Sequence, residues 1–465
     1  MTADLRIKNA RIYTHNGIFE GGISIKDGTI EKIGKEGFLE PAVEDLDAKG
    51  LLVLPGPIDV HVHLRDQGLS YKEEFDSGTA AAACGGITTV LDMPNNDPLT
   101  SNPDALRKRM DVASGRIFVN VGFYSAFPKV SGFSEAFKIV RAIVEEGALA
   151  FKLFLSQEVG GINIDDDNGL ILAFEAAANA GVPVAIHAED RRELIRAENV
   201  ARSLGAFSPH LQRIFKKAEI SAIERVIRLA TKTMAHLHIC HVSTEGGLQR
   251  ILKAKKEGLK ITCEVTPHHI LLSTITARKL ESLSKVSPPL RPYRDVKFLR
   301  KAVCEGLVDI IASDHAPHAL SEKLCESMED AKPGFPGLEI LLPILLTEVA
   351  KGRLTISRLV DLTSKRPASI FNLDQEPHRL GSLEDGSPAN LVIVDLKREE
   401  RIDPSHFKSK AQYSPFQGRR TVGKPIVTIV NGTIVMENGE IVSGPGAGKI
   451  LRKRRWKPPS CEWRV

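Results

Sequence analysis

LLVLPGPIDVHVHLRD, residues 51–66, decides how the rest of the chain is read. An apolar run ends in a turn at Pro55-Gly56-Pro57, and a short strand carrying His61 and His63 is predicted to follow. Side chains two apart on a strand share a face. Two imidazoles are therefore aimed at one point, with donors suited to a transition metal. Arg65 continues the alternation and is expected beside that point.

Upstream of this stretch, residues 4 to about 50 read as short strands joined at Asn16-Gly17 and Asp27-Gly28, both hairpin signals. Downstream, to about residue 320, apolar β-branched runs alternate with helical spacing. The predicted strands are LLVLPGPIDVHVHL, ITTVLDMPN, RIFVNVGFYSAF, ALAFKLFLS, PVAIHAED, LHICHVS, KITCEVTPHH and VDIIASDHAPH. Between two of them, FSEAFKIVRAIVEEG places Phe137, Val140, Ile143 and Val144 on one helical face and ends at Gly147, a C-cap. AIERVIRLATKT and GGLQRILKAKKEG behave alike. Eight strands with helical crossovers over roughly 270 residues is the arithmetic of a (β/α)8, TIM-like barrel. A doubly wound open sheet is the alternative, weakened by the lack of GxGxxG after a first strand. Residues 335 to 375 read as helical, and after Gly381 the texture is β again, with turns at Asn431-Gly432 and Asn438-Gly439. The expected organisation is 1–54 as the N-terminal part of a small β-sandwich, 55–375 as the barrel, and 376–465 as the C-terminal part of the sandwich plus a tail. There is no internal repeat.

Composition sets bounds on function. The 465 residues are 42% hydrophobic and 26% charged, ordinary for a soluble globular protein, with a net charge of only +5. That charge argues against nucleic acid as a partner, and Arg452-Lys453-Arg454-Arg455 reads as a solvated tail. Cys84, Cys240, Cys263, Cys304, Cys325 and Cys461 form no CxxC pair and read mostly as small core residues of a reducing, cytoplasmic setting. Neither a signal peptide nor a membrane span is expected.

The chemistry falls where the strands end, the face that carries barrel active sites. The first strand offers His61, His63 and Arg65, the second Asn95, the fourth Lys152, the fifth His187, the sixth His241, and the eighth Asp314 with His318 just beyond. Each has a bland reading alone. A lone HxH is more often structural, Asn95 could make a turn, and Asp314 could cap a helix. Together they point to a metal site. Lys152, between Phe151 and Leu153, is a poor ligand as an ammonium and could be a snorkelling lysine. Addition of CO2 to the neutral amine would instead give an anionic carbamate whose two oxygens can bridge two metals.

HVHLR, MPNN, FKLF, IHAED, CHVST, ITCEVTPHH, SPPLR, SDHAPH and SPFQG occur in this order from 61 to 418. Together they resemble the dihydroorotase family, among the cyclic amidohydrolases of the amidohydrolase superfamily. HxHxR with MPN is the more specific mark, because hydantoinase- and allantoinase-like relatives generally lack the arginine. The resemblance implies two zinc ions per chain, with His61 and His63 on the first, His187 and His241 on the second, and carboxylated Lys152 bridging them. It implies Asp314 as ligand of the first metal and proton shuttle, and Arg65, Asn95 and His318 around a substrate carboxylate, with His63 beside them. Backbone contacts to the ring are expected from Pro333 and Gly334. One departure is Ser287, where many bacterial members have Asn before PPLR. The parts of Glu264 and His268, in ITCEVTPHH, stay open.

The implied reaction is the reversible closure of N-carbamoyl-L-aspartate to dihydroorotate in pyrimidine biosynthesis. A homodimer and association with aspartate transcarbamoylase stay open. So do two other readings, a hydantoinase-, dihydropyrimidinase- or allantoinase-like cyclic amidase and an inactive partner subunit. The filled metal-ligand positions oppose the last.

Overall fold

The structure, a computed structural model, describes residues 2–130, 132–204, 208–325 and 328–453. Its centre is a parallel barrel of eight strands: Ile58–Val62, Thr89–Asp92, Asn120–Ala126, Ala150–Phe154, Val184–His187, Leu237–Ile239, Ile261–Val265 and Ile310–Ile311. Each strand pairs with the next in chain order, which excludes the doubly wound alternative. Closure comes from a parallel bridge between Val62 and His315 and from His63 N–H donating to the His315 carbonyl at 2.8 Å. The buried Asp59 carboxylate spans the same seam, accepting the backbone N–H of His61 at 3.2 Å and of Ser313 at 3.1 Å. Strands covered on both faces are mostly apolar, which is why they read as nearly continuous apolar runs rather than alternations, interrupted by Asp59, His61, Lys152 and Glu264.

The helices follow their predicted stripes. In Phe133–Glu146, Val140, Ile143 and Val144 are buried, Phe137 packs against the core, and Gly147 ends the helix at φ +138°.

The opening stretch divides in two. Leu52–Pro55 belongs to a second sheet, parallel to Ala3–Thr14 and antiparallel to Leu391–Arg401. The barrel begins only after Gly56, where a Cβ would lie 2.1 Å from Thr88 Oγ1. The second sheet has nine strands drawn from both chain ends. Ile7, Ile12, Ile23, Val53, Ile393 and Ile429 form its separate core. Between its strands Leu391–Arg401 and Arg420–Val430, the chain leaves the sheet and crosses the barrel mouth. There the Ser409 hydroxyl donates to Glu73, and the Tyr413 hydroxyl donates to the His318 carbonyl at 3.2 Å.

Two sequence expectations need correction. Arg452 and Lys453 are tied to the fold and not a free tail: Arg452, still exposed, donates to the Glu146 carbonyl, and Lys453 donates to the Ala180 and Gly181 carbonyls. These carbonyls lie at helix C-termini, where cations are favoured. Arg454 and Arg455 lie outside the described residues. Of the cysteines, only Cys240 and Cys263 are buried, whereas Cys304 is exposed; Cys461 lies outside the described residues. No helix among the described residues is long and apolar enough to cross a membrane.

Candidate active site

The barrel gathers four imidazoles at the carboxyl ends of its strands. Ring centroids lie 5.5 Å apart for His61 and His63, 5.2 Å for His61 and His241, and 4.6 Å for His187 and His241. Asp314 Oδ1 lies 3.3 Å from His61 Nε2 and 3.6 Å from His63 Nε2. Lys152 Nζ lies 3.5 Å from His61 Nε2 and 3.0 Å from Cys240 Sγ, which accepts its hydrogen bond.

These positions were expected, but the local reason differs in three places. The first strand ends at Val62, so His63 and Arg65 lie beyond it and are not placed by strand alternation. Arg65, Asp66 and Gln67 have φ of +56°, +54° and +51°, a conformation that costs non-glycine residues energy. Buried Arg109 holds this turn, bonding the Arg65 carbonyl at 2.6 Å and pairing with Asp92 at 2.9 Å. Lys152 sits mid-strand, not at a strand end. His241 and Asp314 follow their strands with φ of +36° and +50°.

Second partners set the orientation of the rings. His61 Nδ1–H donates to Glu264, which also accepts from His238 Nε2–H at 3.1 Å. His63 Nδ1–H donates to Asn95 Oδ1 at 2.9 Å, and His187 Nε2–H donates to Glu189 Oε2 at 2.9 Å. His61 and His63 thus turn Nε2 toward Asp314, and His187 keeps Nδ1 free. His241 Nδ1 is buried with no hydrogen-bond partner among the described residues. Burial holds the His63 and His241 imidazoles well below their ordinary pKa, with the Arg65 charge adding to the effect at His63 and His187 at His241. Neutral imidazole is the form a metal takes.

His61 Nε2, His63 Nε2 and Asp314 Oδ1 lie close enough together to hold one ion. Their spacings resemble the edge of a tetrahedron with bonds of about 2.0–2.1 Å, roughly 3.3–3.4 Å. The donor set and the unpartnered His241 nitrogen therefore fit a divalent metal. His61, Cys240 and Glu264 form a second converging group. His268 is not part of it and packs against His269 and Phe335.

At the mouth, Arg65 Nε donates to the Pro317 carbonyl at 3.3 Å, and its Nη2 lies 3.4 Å from His318 Nε2. His318 accepts from Lys72 at 3.1 Å through Nδ1 and donates to the Pro333 carbonyl at 3.1 Å through Nε2. Gly334, at φ +131°, donates its N–H to the Lys285 carbonyl at 2.9 Å. Among the described residues, no carboxylate pairs with Arg65, although it is only 6% exposed.

Sequence reasoning passed over Asp59, Asp92, Arg109 and Glu189. A signal existed for Asp59 and for Glu264: each is an acid inside a largely apolar strand, which must find a partner once buried. Nothing in the helix carrying Arg109 marked it.

A closed parallel barrel with histidines and an aspartate at the carboxyl ends of its strands, and a lysine inside it beside them, defines a metal-dependent barrel hydrolase. The chain belongs to the amidohydrolase family, whose sequence profile matches residues 52–435. It is similar to the dihydroorotase of Methanosarcina acetivorans, 35% identical over 461 residues, 96% of this chain and 95% of that protein. It is also similar to the dihydroorotase of Methanothermobacter thermautotrophicus, 36% identical over 446 residues, 95% of this chain and 96% of that protein. Among solved structures it resembles the L-hydantoinase (dihydropyrimidinase) of Arthrobacter aurescens, with a TM-score of 0.90 and 31% identity, covering 97% of this chain and 100% of that one.

Proposed function

We propose that this chain is a dihydroorotase, interconverting N-carbamoyl-L-aspartate and dihydroorotate in the cytoplasm. The observation that carries this reading is Arg65. A buried guanidinium without a carboxylate is costly, and its planar fork matches a carboxylate on the bound ring. The full-length relatives named dihydroorotase support the same reading.

In this reading His61, His63 and Asp314 would hold one zinc ion, His187 and His241 would hold a second, and Lys152 would serve both as its carbamate. The zinc pair supplies Lewis acidity for the ring carbonyl and a water that ionises near neutral pH. Arg65, Asn95 and His318 hold the substrate carboxylate, and the Pro333–Gly334 backbone borders the ring. Burial pushes the Asp314 carboxyl upward, a shift that a metal bound beside it would oppose; its role here follows from its place next to His61 and His63. Asp314 accepts the proton of the attacking water and delivers it to the departing ring nitrogen, and in ring closure the transfers reverse.

The structural likeness to hydantoinases favours a second reading, a cyclic amidase for rings without a carboxylate. Ring-opening rates on dihydroorotate, dihydrouracil and hydantoin, measured side by side, decide between them. Dihydroorotate is expected to be preferred by a wide margin, and a preference for hydantoin would overturn the proposal.

A further inference from the structure

Behind His187 and His241 lies a buried cluster of charged and polar side chains. Glu189 Oε2 accepts two hydrogen bonds, from His187 Nε2–H at 2.9 Å and from the Ser287 hydroxyl at 2.9 Å. Arg291 Nη2 lies 3.9 Å from Glu189 Oε1 and 3.4 Å from Glu219 Oε2, and Arg291 Nε donates to Ser243 Oγ at 2.8 Å. Glu219 accepts the backbone N–H of Ser243 and of Thr244, at 3.2 and 2.9 Å, together with both their hydroxyls. Ser243 lies two residues past His241, on the turn that carries His241 at φ +36°. One side of the cluster thus fixes the His187 ring, and the other fixes the His241 turn. Arg291, 1% exposed, sits between them. His61, His63 and Asp314 have other supports, in Glu264, Asn95 and the Asp59 seam; of these only Glu264 is shared, since it also accepts the backbone N–H of His241 at 3.2 Å.

We infer that Glu189, Ser287, Arg291 and Glu219 are positioning residues that set the affinity of the His187/His241 metal position more strongly than that of the His61/His63/Asp314 position. The physical ground is twofold. A carboxylate on the far ring nitrogen fixes which nitrogen faces the metal and raises the basicity of the ring. The two carboxylates also outnumber the single guanidinium, leaving the cluster one negative charge in excess beside the cation. Ser287 acts here through its hydroxyl on Glu189, so the residue that departs from the Asn-PPLR pattern has a role in holding His187.

The inference rests on the two-metal reading above, and its test keeps the two apart. Zinc is removed from the purified protein and returned under competition with a chromophoric chelator, resolving two dissociation constants. Cobalt substitution reports each position by its visible absorption. Wild type is expected to bind two ions; one or none would overturn the two-metal reading itself. In Glu189→Gln the weaker-supported ion should dissociate about 10–100-fold more readily, while the other constant changes less. Ser287→Ala should shift the same constant in the same direction by less, and it removes only a hydroxyl, so folding is not at issue. If wild type holds two ions and both variants bind them equally well, or lose both ions in parallel, the inference is overturned.

Discussion

Arg65 and Asp314 carry the sharpest expectations at the level of single side chains. Lysine can replace the charge of Arg65 but not its fork, so Arg65→Lys should lower kcat/KM for dihydroorotate and leave zinc content unchanged. Arg65→Met should cost more, since a carboxylate in a closed site then loses a counter-charge worth several kcal/mol. Turnover of dihydrouracil, which has no carboxylate, should barely respond to either change. Equal loss on both substrates would instead assign Arg65 to holding the site's shape. Asp314→Asn keeps an oxygen facing His61 but accepts no proton. A fall of about 10²–10⁴ in kcat is expected; unchanged kcat with weaker metal binding would make Asp314 a ligand alone.

At the level of elements, the segments around the mouth are held by a few specific anchors. Helix Leu338–Ala350 begins beside one of them, Glu339, which accepts the backbone N–H of Lys408 at 2.8 Å. Burial pushes its carboxyl up to about 8. Between the ordinary carboxylate range and that value, the folded protein retains a proton that the unfolded chain has lost. The contribution of this group to stability is thus complete at low pH and falls as pH rises toward 8. Glu339→Gln cannot titrate, so the melting temperature of wild type relative to this variant should decline from about pH 5 to about pH 9. A constant difference would show that the carboxyl is ionised throughout. Gly334 is a second anchor: a Cβ there would lie 2.5 Å from the Ala316 carbonyl oxygen, at a φ of +131°. Gly334→Ala should displace the Pro333 carbonyl from His318 and raise KM for dihydroorotate more than it lowers kcat, which steady-state kinetics will resolve.

Across the whole molecule, barrel and sheet are joined at the end opposite the site. Asn120 of the third barrel strand donates to Asn390 at 3.0 Å and accepts from Asn431 at 2.8 Å, both in the sheet region. Without Asn120, Asn390 Oδ1 still accepts the Asn431 N–H at 3.0 Å and Asn431 Nδ2 still donates to the Ala447 carbonyl at 2.9 Å, but the Lys449 N–H loses the acceptor it has at 2.9 Å. Asn120→Ala should cost about 1–3 kcal/mol, for the one N–H left unsatisfied, read by denaturant unfolding, with ring-opening activity per folded molecule unchanged. Lost activity at full folding would mean that the seam also shapes the distant site.

The alternation of apolar runs and helical stripes was enough to reach a barrel, because strands buried on both faces and helices buried on one leave different periodicities in the chain. His61, His63, His187, His241 and Asp314 were legible for a related reason: each lies at or just past the end of such a run, and all those ends share one face. What the linear order could not contain is which distant groups meet. Glu264 turning His61, Glu189 turning His187, Arg109 holding the Arg65 turn, and the 404–418 segment resting on His318 all join residues far apart in sequence. Partnerships of that kind leave no local period, since they exist only once the barrel closes and burial obliges each polar group to find whatever neighbour the fold has brought within reach.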